Sequence, residues 1–233
     1  MVGHRALVPA VPGSSPGAPA MNTEPKLVEL YTEVRDLLLQ SRDFRATVEW
    51  QASRDLSKVT EEEFLGEAAW VIFNGGMWEA VVRAKWDDLR RAFREFKVAD
   101  LCHADKEVRV EALAVFNHPG KVDAVIHIAR TLIAEGWGNT HRSIEAHGPD
   151  WLERYPWIGP ITKYHLAKNL GFDCVKPDRH LQRMGDLVGM EPAVMCRMIS
   201  QHTGDKVCVV DLVLWRWASV DPGYLDAIRG RAL

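Results

Sequence analysis

The chain has 233 residues, 47% of them hydrophobic, enough to bury a sizeable core in one domain or two closely joined lobes. Its formal net charge of −3 excludes wholesale coating of nucleic acid and leaves room only for a local basic patch. No apolar run reaches the ~18 residues that a membrane-spanning helix needs.

The first 20 residues are rich in Pro, Gly, Ala and Ser, with prolines interrupting the apolar stretch. They read as a disordered leader rather than a signal peptide, with Met21 opening the folded part. Beyond it, apolar residues recur at helical spacing. Leu27, Leu30, Tyr31, Val34, Leu37 and Leu38 form one stripe; Phe64, Leu65, Ala68, Ala69, Ile72 and Phe73 form a second. A third runs through Val122, Val125, Ile126, Ala129, Leu132 and Ile133. Breakers fall between the stripes, at Asn74-Gly75-Gly76, His118-Pro119-Gly120, Gly136 with Gly138, Gly148-Pro149, Gly171 and Gly204. Strand-like alternation is confined to residues 207–214, where Asp205 and Asp211 suit a helix better. The pattern predicts an all-α protein of ten or more short helices.

The four cysteines, Cys102, Cys174, Cys196 and Cys208, form no CxxC pair, as expected for reduced and mostly buried thiols of a cytoplasmic protein. The nine histidines lack metal-ligand spacing. No nucleotide-binding loop is visible, so neither a metal nor another cofactor is expected.

Residues 154–184, RYPWIGPITKYHLAKNLGFDCVKPDRHLQRM, break this helical regularity. Leu152 and Tyr155 close a short helix, Pro156-Trp157-Ile158-Gly159 makes a turn, and a second helix is predicted from Pro160 to about Leu170. Gly159 is expected to adopt a backbone conformation closed to other residues and to allow close approach. The amides of Ile161, Thr162 and Lys163 would then point at a phosphate. Six Lys or Arg (154, 163, 168, 176, 179 and 183) stand against two acids (173 and 178) in this stretch. Such an excess is the footprint of a phosphate-gripping patch. Lys121, Lys163 and Lys168 are expected to be phosphate contacts or solvated surface.

The order of this hairpin, an 11-residue helix, a break at Gly171, and then Val175-Lys176-Pro177-Asp178-Arg179-His180-Leu181-Gln182-Arg183 resembles the helix-hairpin-helix DNA glycosylase superfamily, which includes endonuclease III. That family joins a Leu-Pro-Gly-hydrophobic-Gly hairpin to a Val-Asp-x-His-hydrophobic-x-Arg segment about twenty residues on. Here Gly159 and Asp178 are 19 residues apart. Residues 64–96 look like the early paired helices of these enzymes, particularly the 3-methyladenine glycosylase I branch. The resemblance covers residues 60–218. It implies two lobes with the active cleft between them: a helical-barrel lobe at about 61–172, and a second lobe of about 21–60 plus 173–233.

The resemblance also implies departures. Trp157 stands where the family has its first hairpin Gly, and Ile161 stands where bifunctional members carry a Lys nucleophile. Without that Lys, a Schiff base with the sugar is not expected. The iron–sulfur cysteines of endonuclease III are absent. Trp70 occupies the place of the Glu that the 3-methyladenine branch carries eight residues before its pocket Trp.

What this implies is a monofunctional enzyme acting as a monomer on double-stranded DNA that contains a damaged or modified base. Breaking an N-glycosidic bond develops positive charge on the sugar, and a carboxylate at Asp178 would stabilise it and orient water. Asp178 also suits a helix N-cap, where amides favour its ionised form. Trp157, Ile158, Gly159, Ile161, Thr162, Lys163 and His180 form the expected DNA contacts, and Arg183 a structural ion pair. The base must leave the stack, so a pocket and a wedge are needed. Met77 and Trp78 are expected to stack on the base or fill its gap, and Asn74 to read a base edge or cap its helix. Asp211, on a helix spanning 205–217, would reach the pocket. Of the nine Trp, most belong to the core. The alternative is a non-enzymatic helix-hairpin-helix DNA-binding protein in which Asp178 is only a cap.

Overall fold

The computed structural model describes residues 23–233; the Pro/Gly-rich leader lies outside the described residues. They fold into thirteen α-helices and three short 3-10 helices, with no strand among them, as the apolar periodicity predicts. None of these helices is long and apolar enough to cross a membrane.

Local chemistry sets the helix ends. Helix α1 (Thr23–Leu38) leads into α2 (Arg42–Ser53), whose first turn is capped by Ser41. A capping box opens α3 (Glu61–Asn74): the Thr60 side chain accepts from the Glu63 amide while the Glu63 carboxylate accepts from the Thr60 amide. Then come α4 (Glu79–Ala92), α5 (Val98–His103), α6 (Asp105–Val115), α7 (Pro119–Glu135), α8 (Trp137–His147) and α9 (Thr162–Leu170). Gly138, expected to break the chain, lies inside α8. His118 caps α7, with Pro119 pre-set for the first turn. The chain ends with α10 (Arg179–Val188), α11 (Pro192–Thr203), α12 (Val207–Val220) and α13 (Tyr224–Arg231). Left-handed glycines at 171, 189 and 204 stop α9, α10 and α11.

The buried side chains form two clusters. One is built around α3 and α7, where Phe64, Leu65, Ile72, Phe73, Val125 and Leu132 are fully enclosed, and it extends to Leu166 and Leu170 of α9. The other joins Leu27, Leu30 and Tyr31 of α1 to Leu181, Met184, Ile199, Val210 and Leu214 of α10–α12. Burying each large apolar side chain contributes roughly 1.5–3 kcal/mol.

The chain passes between the clusters at residues 54–60 and again at 171–178, and polar bonds fasten the passage. The Gln51 side-chain amide donates to the Lys168 carbonyl (2.8 Å), and Arg54 Nε donates to that of Asn169 (2.7 Å). Two of the terminal carbonyls of α9 are thereby satisfied by residues at the end of α2. Asn169 donates in turn to Glu67 (2.8 Å), whose carboxyl is pushed up to about 7 by burial.

Gly171 lies at the tightest point, with φ +108°, and a Cβ there would sit 2.7 Å from the Leu56 amide nitrogen. At Gly204, φ is +77° and the added Cβ would meet nothing. Both Gly→Ala changes carry the left-handed cost of roughly 1–2 kcal/mol, but only Gly171→Ala must also push apart the two passing segments. The melting temperature of Gly204→Ala is expected to fall by roughly 2–8 °C and that of Gly171→Ala further. Equal losses in thermal denaturation would contradict the close packing of residue 171 on residues 55 and 56.

Candidate nucleic-acid interface and cleft

The hairpin differs in detail from its sequence pattern. A 3-10 helix (Gly148–Arg154) precedes it, and α9 begins at Thr162 rather than at Pro160. Thr162 sets this start: its Oγ accepts from the Gly159 amide (2.7 Å), and the Lys163 amide donates to the Gly159 carbonyl (2.9 Å). The Lys163 amide is therefore not available to a phosphate. Those of Ile161 and Thr162 have no acceptor within the described residues.

The left-handed residue is Trp157 (φ 67°), not Gly159, which lies outside that region. Trp157 keeps this path because its ring docks on the start of α7. It meets His118 edge-on with centroids 5.1 Å apart, and Lys121 Nζ lies 5.4 Å from the ring centre. Gly120 gives the ring its room, since a Cβ there would sit 3.3 Å from Trp157. Gly159 retains open space, with nothing nearer to an added Cβ than Thr162 Oγ at 4.0 Å. A shallow depression of about 520 Å³ lies over Glu153, Tyr155, Trp157, Ile158, Gly159 and Ile161.

Three cations expected at a phosphate or in solvent are occupied elsewhere. Lys121 is buried and donates to the carbonyls of Phe73 (2.8 Å) and Gly75 (2.6 Å). Lys163 is held by Asp150 (2.6 Å) and by Glu153, which keep its ammonium above the usual lysine range. Lys168 is sealed in an ion pair with Asp211. Arg154 pairs with Glu135, so the excess of cations counted in residues 154–183 is largely neutralised by acids outside that window. Arg183 is exposed and forms no ion pair among the described residues, contrary to the structural role expected of it.

Lys121 also organises the opposite wall. By gripping the carbonyls that end α3, it fixes the Asn74-Gly75-Gly76 turn, and its ammonium touches Trp157 on the other side. The hairpin and the turn are thus tied to one point on α7. Beyond the turn, Trp78 is 83% exposed and Met77 39%, while Trp157 is 47% exposed. Large aromatics in the open like this are functional-surface candidates, because solvation alone disfavours them. Trp217 is buried, and Trp70, Trp86, Trp137, Trp151 and Trp215 are packed against the two clusters. Asn74 donates its side-chain amide to the Trp70 carbonyl (2.8 Å), closing its own helix.

Asp178 is the N-cap of α10. Its Oδ1 accepts from the amides of His180 (2.9 Å) and Leu181 (3.3 Å), and its own amide donates to the Lys176 carbonyl (2.7 Å). The carboxylate sits partly open, at the positive end of a helix. Behind it, Asp211 of α12 does not line a pocket. It is buried, accepting from Lys168 and from the Lys176 amide, and its carboxyl is raised chiefly by burial. His180 is turned toward the second cluster: its ring meets Tyr224, and Nδ1 is buried without a partner.

His165, which the sequence pattern did not mark, and Lys176, one of the six basic residues counted there, lie in the same region. His165 of α9 is held well below the ordinary histidine range by burial, with Lys176 and Lys168 adding to it. Lys176 feels the charges of Asp178 and of Glu79, the latter at the start of α4. Glu79 follows Trp78 directly, so the exposed turn lies near the start of α10.

The docking of Trp157 is testable through stability. Trp157→Ala loses the ring contacts and keeps the left-handed strain, whereas Trp157→Gly loses both. The Gly variant is therefore expected to be more stable than the Ala variant by roughly 1–2 kcal/mol in urea denaturation; the reverse order would contradict the left-handed path. Comparison of the chain with known proteins returns no match to a family model, to a curated protein or to a solved structure.

Proposed function

We propose that this protein is a monofunctional DNA glycosylase that hydrolyses the N-glycosidic bond of a damaged or modified base flipped out of duplex DNA. The observation that carries the reading is the placement of Asp178: a partly open carboxylate at the start of α10, 19 residues after the Gly159 of the hairpin. In this reading the strand backbone rests on the hairpin, where Gly159 offers space and the Ile161 and Thr162 amides lack acceptors. Trp78 enters the duplex where the base has left, at an unstacking cost of a few kcal/mol that its exposed ring offsets by stacking.

As the glycosidic bond lengthens, electrons move to the leaving base and positive charge grows on the sugar. The Asp178 carboxylate stabilises that charge and orients a water toward C1′. With Ile161 at the position of the family's nucleophilic Lys, water is the attacking group at this step. The exposed rings of Trp78 and Trp157 suit a bulky lesion, including a hypermodified base of phage DNA. The competing reading, a DNA-binding protein without chemistry, draws on the same carboxylate, since its two amide bonds already make a complete helix cap.

Asp178→Asn separates the two. Asparagine caps nearly as well as aspartate, but it lacks the charge. Base release in single turnover is expected to slow by roughly a hundredfold or more, while affinity for the same duplex is kept or slightly improved. Release at the wild-type rate would leave Asp178 only a cap.

A further inference from the structure

Trp157 carries an aromatic ring at a point where the backbone favours glycine: its φ is 67°, and the resembled family has Gly at this place. The contacts with α7 hold the ring without covering it. Lys121 Nζ stands 5.4 Å from its centre and His118 meets it edge-on, yet nearly half of the residue stays exposed. Trp157 lines the depression of about 520 Å³ on the hairpin, together with Pro160 and the exposed Ile161. That volume lies within the ~300–1,000 Å³ of sites that take small planar groups.

The chemistry of the depression suits an uncharged ring better than a phosphate alone. Its charged wall is an anion, Glu153. The cations around it are occupied, Lys163 by Asp150 and Glu153, Lys121 by two backbone carbonyls and Arg154 by Glu135. Charge-driven affinity for a nucleic acid draws on free cations. Stacking needs only a π-face, and every base has one. The indole offers such a face from a position that α7 fixes in advance, so little order is lost when a base lies on it.

We propose that Trp157 is a stacking platform for an unpaired base of the strand that lies on the hairpin. The DNA that fits best is then a duplex in which bases beside the hairpin have already left the helix, as in a bulge or a mismatch. The inference rests on the reading that the hairpin meets DNA, and not on base release. The phosphate of that nucleotide meets the free amides of Ile161 and Thr162, and its base lies in the depression against the indole and Ile161. A base paired in an intact duplex is stacked between its neighbours, so it cannot reach the ring.

The test is a binding titration of the full chain against three duplexes without any lesion. One is fully paired, one carries a short thymine bulge, and one carries the same bulge built of abasic spacers. The two bulges have the same phosphates, so their difference isolates the bases. The wild-type protein is expected to bind the thymine bulge roughly ten- to a hundredfold more tightly than the abasic one. Trp157→Gly relieves the left-handed strain and removes the ring, so this ratio should fall to near one while affinity for the paired duplex is unchanged. Trp157→Phe keeps a ring and should keep most of the ratio. A ratio near one in the wild type, a ratio surviving in Trp157→Gly, or a Gly variant weakened alike on all three duplexes would overturn the platform and leave the DNA reading in place. Absence of binding to all three would remove that reading and the platform with it.

Discussion

The buried contact of Asp211 with Lys168 and the Lys176 amide is the constraint on which the position of Asp178 depends. It joins the end of α9, the body of α12 and the strand of chain leading to α10, three segments that share no continuous helix. Two charges removed from water cost several kcal/mol each before their attraction is counted, so such a pair is weak evidence of net stability. Its value here is geometric. Two different donors on one carboxylate fix the distance between the hairpin helix and the α10 start, and hence the position of Asp178. Removing either partner would leave an uncompensated buried charge, at a cost of roughly 3–5 kcal/mol.

A second clamp, Lys121, does the same for the opposite wall. Its three contacts draw the end of α3 and the hairpin onto the first turn of α7. Both clamps use lysines whose charge is spent inside the protein, so the surface that would meet a polyanion is less basic than the local sequence suggests. In the proposed reaction, recognition then leans on free amides, exposed aromatic rings and the exposed Arg183 rather than on a dense cationic patch. That is consistent with a chain whose formal charge is negative.

Much of the architecture was legible in the sequence because it depends on local rules. The periodic stripes of α1, α3 and α7 mark their buried faces except at Leu37 and Ile133, which are exposed near the helix ends, and Gly171 and Gly204 mark helix ends through their need for left-handed backbone. The candidate carboxylate was legible too, since an Asp before a helix is a cap by chemistry alone. What escaped was non-local. Lys168 meets its acid 43 positions away, and Lys121 meets its carbonyls 46 and 48 positions away, distances over which no spacing rule operates. The left-handed strain falls on Trp157 instead of Gly159 because a ring docked on His118 and Lys121 compensates for it, and that docking exists only in the folded chain. Lys176 counted in the sequence only as one cation of a basic stretch, whereas its amide meets Asp211 35 positions away.

The central claim is that this protein releases a base from DNA, and the most direct measurement is the appearance of that base. The purified protein would be incubated with duplexes carrying alkylated, oxidised, mismatched and hypermodified bases, and with modified phage genomic DNA, followed by mass spectrometry of the small-molecule fraction. The account predicts that one class of base is released free, with an equal number of abasic sites in the duplex. Duplexes that are bound by the protein yet remain intact across the whole panel would contradict it.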